Sequence, residues 1–422
     1  MRPAASSAVA DTASDSAAAP GALVVGGALG ALGVVRSLGR QGIPVAFLTH
    51  DHPIAGFSRY VGRRLSWAGP EQPNALDTFK RLIRNNGLTG WTVFACADAE
   101  VRFVAQNHAA LSGLVRLTTP PWEITRWCHD KRLTYRRAAE LGIDVPWSAY
   151  PRDRGEVTRL DCRFPVILKP TVRDSQNAFT MAKAWRVDDR AELLARYDEA
   201  ARLVGEATII LQEMIPGGGE QQFSFAAVCE RGEAIASLVA RRTRQYPIDF
   251  GYTSTFVESI EQPDVEAAAR RMLRAIDFTG LVEVEFKLDA RDGRYKILDI
   301  NPRSWTWIGL GALAGVDYPL LAWRGAHGEA ITPVRGRTGV AWMHASRDLV
   351  AAGQEIWRGR RTVASYLRSL RQPIAFAAFA KDDPLPGLVE LPLVASRVLT
   401  VRLPARLHGL RKAAPARPQT TV

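Results

Sequence analysis

Several oxygen-bearing side chains lie close together in the stretch GLVEVEFKLDARDGRYKILDINPRSWTW, residues 280–307. The stretch contains two strand-like runs around a short polar turn, and strands that pack a core favour aliphatic and aromatic residues over carboxylates. The side chains that break this rule are Glu283, Glu285, Asp299 and Asn301. They either face water or hold a charged ligand.

The pairing of the two runs decides whether these side chains meet. We predict a hairpin with the three-residue turn RDG and with Gly293 in the left-handed conformation. Ala290 then pairs with Arg294, and Glu285 pairs with Asp299. A two-residue turn would shift the pairing by one residue, so the prediction depends on the length of the loop.

The predicted register gathers charge on one face of the hairpin. Side chains alternate along each strand, so one face carries Glu283, Glu285, Lys287, Ile297, Asp299 and Asn301. Facing carboxylates repel unless a cation lies between them. Oxygen ligands of this kind suit Mg²⁺, which takes one or two carboxylates together with substrate phosphates. The alternative is a solvent-facing strand with scattered acidic residues.

At this point the sequence resembles a known family. The pair VEFKLD and GRYKILDINPR resembles the metal-binding strands of the ATP-grasp superfamily, and the motifs HDK (129–131), FPVILKP (164–170) and ILQEMIPGGGEQQFS (210–224) precede it in the order that the superfamily shows. The resemblance covers roughly residues 120–330 and is strongest to the carboxylate–amine ligase branch that includes D-aspartate ligases. Each motif alone is a weak signal, but their order and spacing together are specific.

The resemblance implies a set of ATP-binding residues: Lys131, Lys169, Lys183, Gln212, Glu213, Met214, Glu220 and Lys287. Lys131 and Lys169 would contact the phosphates. Residues 212–214 would offer backbone groups to the adenine, Glu213 would add its side chain, and Glu220 would bind the ribose hydroxyls. The phosphate-covering loop TVRDSQNAF lacks the glycines usual in the superfamily, and Lys183 is expected to replace its backbone amides in part.

The resemblance also implies the catalytic and metal residues. Glu285, Asp299 and Asn301 would hold Mg²⁺, with Mn²⁺ as an alternative, although many members have Glu where Asp299 stands. Arg303 would meet the phosphoryl group in transfer, and Lys169 would assist it. A substrate carboxylate would attack the γ-phosphate of ATP, and an amine would attack the resulting acyl phosphate, so no protein nucleophile is required.

Two further segments are candidates for substrate contacts. The turn with Gly27 and Gly30 opens the first predicted helix and is expected to shape the substrate edge of the cleft. Arg241, Arg242 and Arg244 in RRTRQYP either clamp a substrate carboxylate or phosphate or face solvent. The glycine spacing also imitates a dinucleotide-binding turn, with Asp51 near the position of a ribose-binding acid.

These patterns leave three hypotheses for function. The first is a ligase that joins a small-molecule carboxylate to an amine. The second is an NAD(P) oxidoreductase that uses the glycine-rich turn, which leaves the polar hairpin unexplained. The third is a catalytically inactive nucleotide-binding scaffold, which the glycine-free loop favours.

The elements that must position these residues fall into consecutive regions. Short buried strands alternate with helices at the start of the chain, and antiparallel strands mixed with helices follow. We predict an α/β plus α+β protein: a disordered tail (1–20), a Rossmann-like domain (21–120), a two-part ATP-grasp domain (121–330), a C-terminal helical extension (331–405) and a basic tail (406–422).

Composition narrows the class of protein. The chain has 422 residues, 47% of them hydrophobic and 23% charged, and a net charge of +12, which favours anionic ligands. No zinc-finger, basic-zipper or RNP-like motif indicates nucleic acid. No apolar run is long enough to span a membrane, and the four separated cysteines are typical of a reducing cytoplasm. Peripheral membrane contact through the basic, apolar stretch 356–380 and a homodimer are left open.

Overall fold

The computed structural model describes residues 20–171, 177–182, 184–249 and 253–397. These residues form three β-sheets with helices packed around them. Lys183 and most of the loop predicted to cover the phosphates lie outside the described residues.

The first sheet is parallel and has the strand order β3-β2-β1-β4-β5. Its inner strands have the sequences ALVV, VAFLT and TVFA and are almost wholly buried, as expected for strands covered on both faces. This is the predicted Rossmann-like arrangement. Its strands are β1 (Ala22–Val25), β2 (Val45–Thr49), β3 (Val61–Ser66), β4 (Thr92–Ala95) and β5 (Arg116–Leu117), and its helices are α1 (Leu29–Arg40), α2 (Ala75–Asn85), α3 (Asp98–Gln106) and α4 (His108–Ser112).

The second sheet is antiparallel, with the order β6-β9-β7-β8. Its strands are β6 (Ser148–Ala149), β7 (Val166–Pro170), β8 (Trp185–Val187) and β9 (Ile209–Glu213). The helices of this region are α5 (Trp122–His129), α6 (Lys131–Glu140), α7 (Arg154–Arg159), α8 (Ala178–Ala182) and α9 (Arg190–Val204). Asp130 caps helix α6 by accepting a hydrogen bond from the backbone N–H of Arg132, which fixes Lys131 at the first helical position.

The third sheet has the order β14-β13-β10-β11-β12-β16-β17, and β15 pairs with β11 outside this path. Its strands are β10 (Gln222–Glu230), β11 (Glu233–Tyr246), β12 (Thr253–Ile260), β13 (Gly280–Asp289), β14 (Arg294–Asn301), β15 (Val334–Arg335), β16 (Ala341–Met343) and β17 (Ile374–Phe376). The helices are α10 (Pro263–Ala275), α11 (Gly309–Ala314), α12 (Tyr318–Ala326), α13 (Ala345–Trp357), α14 (Val363–Ser369) and α15 (Leu385–Arg397).

The region after residue 330 differs from the predicted helical extension. It contains helices α13 to α15, but β16 pairs with β12 and β17 pairs with β16, so the region also enlarges the third sheet. Short strands of three residues carry too little periodicity to be told from loops in the sequence.

The hairpin of β13 and β14 has the predicted residue pairs at its polar end, but its turn length and its register nearer the turn differ from the prediction. The turn is one residue longer than predicted, so Asp289, not Ala290, pairs with Arg294. A β-bulge between Ile297 and Asp299 then shifts the register back by one residue. Glu285 therefore pairs with Asp299 as predicted, and Gly293 has a φ of 72°, in the left-handed region.

The bulge also corrects one position of the predicted polar face. Ile297 pairs with Phe286, and both side chains are fully buried in the apolar core beneath the sheet. The polar face at the end of the hairpin therefore consists of charged and amide side chains.

The glycines of helix α1 serve close packing. A Cβ atom added to Gly30 would lie 3.0 Å from the Ser304 hydroxyl oxygen, and one added to Gly33 would lie 2.5 Å from Ile308. Trp305 and Trp307 continue this contact and are buried in a core shared by the first and third sheets. The segment after Asn301 is thereby fixed against the Rossmann-like unit.

Candidate active site

A cleft with a volume of about 1790 Å³ is lined by residues of the second and third sheets and of helices α2, α3 and α6. Its walls include eleven of the residues that the sequence analysis assigned to ATP, metal or catalysis: Lys131, Lys169, Gln212, Glu213, Met214, Glu220, Glu285, Lys287, Asp299, Asn301 and Arg303. The fold therefore brings together motifs that lie far apart in the chain.

The predicted metal ligands occupy one wall of the cleft. Asn301 donates from Nδ2 to Glu285 Oε1 at 2.8 Å, and Asp299 accepts from Lys131 Nζ at 2.5 Å. Among the described residues no group of three or more His, Cys, Asp or Glu is arranged to hold a metal ion. Two carboxylates and one amide nevertheless fit Mg²⁺, which needs only one or two protein carboxylates beside substrate oxygens.

Glu283 lies directly behind this set. It is 4% exposed and accepts hydrogen bonds from Asn301 Nδ2 at 3.1 Å and from Trp307 Nε1 at 2.9 Å. Burial, followed by the charge of Glu285, raises the pKa of Glu283 to about 7. The carboxyl group of Glu283 thus orients the Asn301 amide rather than lining the cleft.

Arg303 has a partner that the sequence did not indicate. Its Nε donates to Asp98 Oδ1 at 2.5 Å, and its Nη2 donates to Asn301 Oδ1 at 3.3 Å. Burial opposes the charged form of Arg303, but Asp98 outweighs it and raises the pKa of the guanidinium above its ordinary value. Asp98 begins helix α3 of the Rossmann-like unit, so the two units meet at this ion pair.

Lys169 extends from β7 toward the cleft. Its Nζ donates to Gln212 Oε1 at 2.8 Å, and Gln212 Nε2 donates in turn to the hydroxyl oxygens of Tyr135 and Ser148 at 3.0 and 3.1 Å. Gln212 is 1% exposed. Its side chain therefore holds the lysine in position, and its backbone pairs within the sheet instead of facing a base.

Glu213, which the sequence predicts to contact the adenine, forms ion pairs within the protein. Its carboxylate accepts from Lys296 Nζ at 2.9 Å, from Arg291 at 2.5 Å and from the backbone N–H of Trp147 at 2.9 Å. Burial would raise the pKa of Glu213, but these donors outweigh it and lower the pKa below its ordinary value. The carboxylate thus ties β9 to the turn of the hairpin.

Two of the backbone N–H groups in this segment are also engaged within the protein. The N–H groups of Glu213 and Met214 donate to the carbonyl oxygens of Trp147 and Pro165 at 2.9 and 3.2 Å. Residues 212–214 lie on the cleft wall, and their contact with the adenine stays a prediction.

Glu220 and Lys287 face the cleft beyond this hinge. Glu220 accepts from the backbone N–H of Gly218 at 3.1 Å and lines the wall where a ribose was expected. Lys287 Nζ donates to the carbonyl oxygens of Ile215 and Gly217 at 2.9 and 2.8 Å. Burial lowers the pKa of Lys287 to about 8. Lys287 thus fastens the loop that carries Glu220.

The structure contradicts the predicted substrate role of Arg244. This side chain is fully buried, forms a two-point ion pair with Asp348 at 2.8 Å for both bonds, and lies against the rings of Phe256 and Tyr366. Arg241 pairs with Glu258 at 3.5 Å and does not line the cleft.

Arg242, between them, is the arginine of this segment that reaches the cleft. It donates to Ser254 Oγ at 2.8 Å and lies 4.0 Å from Glu285 Oε2. Strand alternation predicts that neighbouring arginines point to opposite faces, but the sequence does not tell which face is which.

Gly27 and Gly30 do not line the cleft either. A Cβ atom on Gly27 would lie 2.8 Å from Cβ of Cys96, and Gly27 has a φ of 75°. These glycines allow the close packing of α1, β4 and the segment after Asn301, so the predicted substrate contact is corrected to a packing role.

Comparisons with known proteins agree with this geometry. A family model described as "ATP-grasp in the biosynthetic pathway with Ter operon" matches residues 206–346. A D-aspartate ligase of Enterococcus faecium (strain Aus0004) is 22% identical over 264 residues, which are 58% of this chain and 62% of the ligase. The match thus spans less than two thirds of the length of that relative.

Solved structures show the same fold. The L-amino acid ligase from Bacillus licheniformis has a TM-score of 0.56 at 18% identity over 73% of this chain and 74% of that one. The biotin carboxylase domain of Hydrogenobacter thermophilus 2-oxoglutarate carboxylase was solved with MgADP and bicarbonate. It has a TM-score of 0.60 at 14% identity over 76% of this chain and 73% of that one. The N5-carboxyaminoimidazole ribonucleotide synthetase of Thermus thermophilus has a TM-score of 0.55 at 19% identity over 75% of this chain and 81% of that one.

The chain therefore has the mixed α/β fold that these solved structures share. An ATP-grasp family model matches residues 206–346, which confirms the resemblance identified in the sequence. The comparisons give no support to the oxidoreductase hypothesis. No helix among the described residues combines the length and apolarity needed to cross a membrane.

Proposed function

We propose that this protein is a Mg²⁺- and ATP-dependent ligase that activates a substrate carboxylate as an acyl phosphate and joins it to an amine. One observation carries the proposal: Lys131, Lys169, Arg303 and the paired oxygens of Glu285 and Asp299 face one cleft from three different parts of the fold. The presence of both phosphate-binding cations and metal-binding carboxylates supports catalysis over an inactive scaffold.

Glu285, Asp299 and Asn301 would hold the metal. Their oxygens lie at the end of a rigid hairpin, and Glu283 fixes the Asn301 amide from behind. Bound Mg²⁺ would offset the charge of the ATP phosphates and of the phosphoryl group in transfer. The family comparisons support ATP and magnesium in general, since a solved relative contains MgADP.

The basic side chains supply the remaining positive charge. Lys169 is held by Gln212 at 2.8 Å, so its ammonium is oriented before a ligand arrives. Arg303 is anchored by Asp98 and Asn301 beside the metal ligands. These residues would stabilise the charge that spreads over the phosphoryl oxygens, which is the main task of a protein in phosphoryl transfer.

The reaction needs no covalent bond to the protein. A carboxylate oxygen of the first substrate attacks the γ-phosphorus, and ADP leaves. The amine then attacks the carbonyl carbon, phosphate leaves with that carboxylate oxygen, and the amine loses a proton to form the amide. The relatives support amino-acid-like substrates, because one is named a D-aspartate ligase and another an L-amino acid ligase. The dependence on ATP also favours a cytoplasmic location.

The test is ADP release from Mg-ATP in the presence of pooled amino acids, dipeptides and amines. We expect release that depends on the pool and that Asp299→Asn abolishes, while Asp292→Asn, in the exposed turn of the same hairpin, leaves it intact. An ¹⁸O-labelled carboxylate substrate should pass one label to the released phosphate. ATP binding without turnover against any pool would favour the scaffold hypothesis, and unlabelled phosphate would exclude an acyl phosphate.

A further inference from the structure

Exposed apolar side chains are concentrated near the end of the described chain. Fourteen large hydrophobic side chains of the described residues are exposed, and eleven of them lie between residues 349 and 394. They are Leu349, Val350, Trp357, Val363, Leu367, Phe376, Phe379, Leu385, Leu388, Leu391 and Val394. Scattered apolar residues on a surface are ordinary, but a concentration of this kind indicates an interaction site.

Helices α13 and α14 each present an apolar ridge to solvent. Leu349 and Trp357 are eight residues apart on α13, on one face of the helix, and are 61% and 85% exposed. Val363 and Leu367 are four residues apart on α14 and are 57% and 55% exposed. The opposite faces of both helices are anchored, because Arg244 binds Asp348 of α13 and Ser369 of α14.

Helix α15 lies next to the start of α13. Glu390 of α15 is hydrogen-bonded to His344, the residue before α13, so the two helices are adjacent. Leu388 and Leu391 of α15 are 67% and 64% exposed. We call the exposed side of α13, α14 and α15 the C-terminal face.

The charge of the C-terminal face is positive. Each of the five acidic residues between 344 and 397 is hydrogen-bonded to an arginine or a histidine, namely Asp348, Glu355, Asp382, Asp383 and Glu390. Arg368 and Arg371 are exposed beside the ridge of α14. Residues 398–422, outside the described residues, contain four arginines and one lysine and no acidic residue.

We propose that the C-terminal face binds the surface of a membrane that contains anionic lipids. Apolar ridges with a large exposed tryptophan suit the boundary between headgroups and acyl chains, and arginines suit lipid phosphates. A second copy of this chain fits less well, because a two-fold interface would place the same basic surfaces against each other. The proposal does not depend on the ligase reaction.

Vesicle co-sedimentation of the full chain tests the proposal. Vesicles of phosphatidylcholine alone are compared with vesicles that also contain phosphatidylserine, at about 0.1 M and about 0.5 M NaCl. We expect binding to the anionic vesicles that is at least about tenfold tighter than to neutral ones and that weakens in high salt. Absent or equal binding would overturn the proposal.

Matched variants locate the contact. Leu367→Ser should weaken vesicle binding severalfold, and Leu203→Ser, an exposed leucine on α9, should not. Arg368→Glu/Arg371→Glu should weaken it more than Arg81→Glu/Arg84→Glu on α2, which changes the net charge equally. Equal losses within either pair would overturn the assignment to this face.

Tryptophan fluorescence and light scattering test whether Trp357 inserts into the membrane or a second copy of the chain covers the face. Brominated lipids should quench part of the tryptophan fluorescence in the folded protein, and Trp357→Phe should remove that part. Light scattering that finds a dimer which Leu367→Ser dissociates, together with no quenching at Trp357, would show that a second copy covers the face instead.

Discussion

Lys131 Nζ lies 2.5 Å from Asp299 Oδ1, so a side chain expected to bind phosphate contacts one expected to bind metal. Asp299 in turn pairs with Glu285 across the hairpin. The ammonium group thus occupies the position in which positive charge relieves the repulsion between the two carboxylates. A metal ion at this site would take over that task and release Lys131 toward the nucleotide.

This relationship predicts how Lys131→Met responds to magnesium. Without Mg²⁺ the variant should be less stable than the wild type by about 1 kcal/mol, because the facing carboxylates lose their cation. Mg²⁺ should raise the melting temperature of Lys131→Met more than that of the wild type. Thermal unfolding with and without Mg²⁺ measures this difference, with Lys381→Met as the exposed control. An identical Mg²⁺ effect in both proteins would contradict the role assigned to Lys131.

The arginines of β11 should separate stability from substrate binding. Arg244→Ala leaves Asp348 as an unpaired buried charge and should cost about 3–5 kcal/mol of unfolding free energy. Arg242→Ala should change stability little and raise the KM of a substrate, since Arg242 lines the cleft. Urea unfolding and steady-state kinetics on both variants measure this split. A stable Arg244→Ala with a raised KM would restore the original assignment.

The contact between Glu213 and Lys296 should be a stabilising one. A double-mutant cycle with Glu213→Gln and Lys296→Met should give a coupling free energy of about 1–3 kcal/mol, because the two groups share a partly buried network with Asp289. Both single variants should then weaken ATP binding to a similar extent through the hinge. A loss of ATP affinity confined to Glu213→Gln would instead indicate a direct contact with the base.

Glu100 should make stability depend on pH. It is 1% exposed, and burial, followed by the charges of Asp51, Asp98 and Glu71, raises its pKa from 4.5 to about 7, with His50 Nδ1 at 3.4 Å. The folded state therefore binds the proton more tightly than the unfolded chain. The stability that this proton contributes is complete below pH 4.5 and is lost as the pH rises through about 7.

Glu100→Gln removes this titration. Relative to the wild type, the unfolding free energy of the variant should increase by about 3 kcal/mol between about pH 5 and about pH 8. Urea unfolding at several pH values measures the difference, and Glu71→Gln, on an exposed loop, should show much less. A difference that does not change with pH would mean that Glu100 titrates normally.

The polar end of the hairpin could be predicted from sequence because the paired residues lie close together in the chain. Strand alternation and the demand of carboxylates for a cation led to Glu285 opposite Asp299, and the structure has this pair. The predicted turn length was wrong, and the predicted pair forms because a bulge compensates for the longer turn. Neither leaves a clear signal in the sequence, because a bulge depends on how the strand meets the core beneath it.

Roles that depend on distant partners could not be predicted. Arg242 and Arg244 are two residues apart on β11, but the register shifts between them, so Arg242 lines the cleft while Arg244 is buried against Asp348 of α13. Asp98 similarly gave no signal as the anchor of Arg303, because the two residues are 205 positions apart. Composition and periodicity carry no information about such pairs.

The pairing of β16 with β12 has a practical consequence for dissecting this protein. A chain cut at residue 330, the predicted domain boundary, would leave the backbone N–H and C=O groups along one side of β12 without partners and would strip Asp348 from Arg244. An open strand edge next to a newly exposed part of the core favours aggregation over folding. The residues after 330 therefore act as an integral closing edge, and a minimal catalytic fragment must retain them.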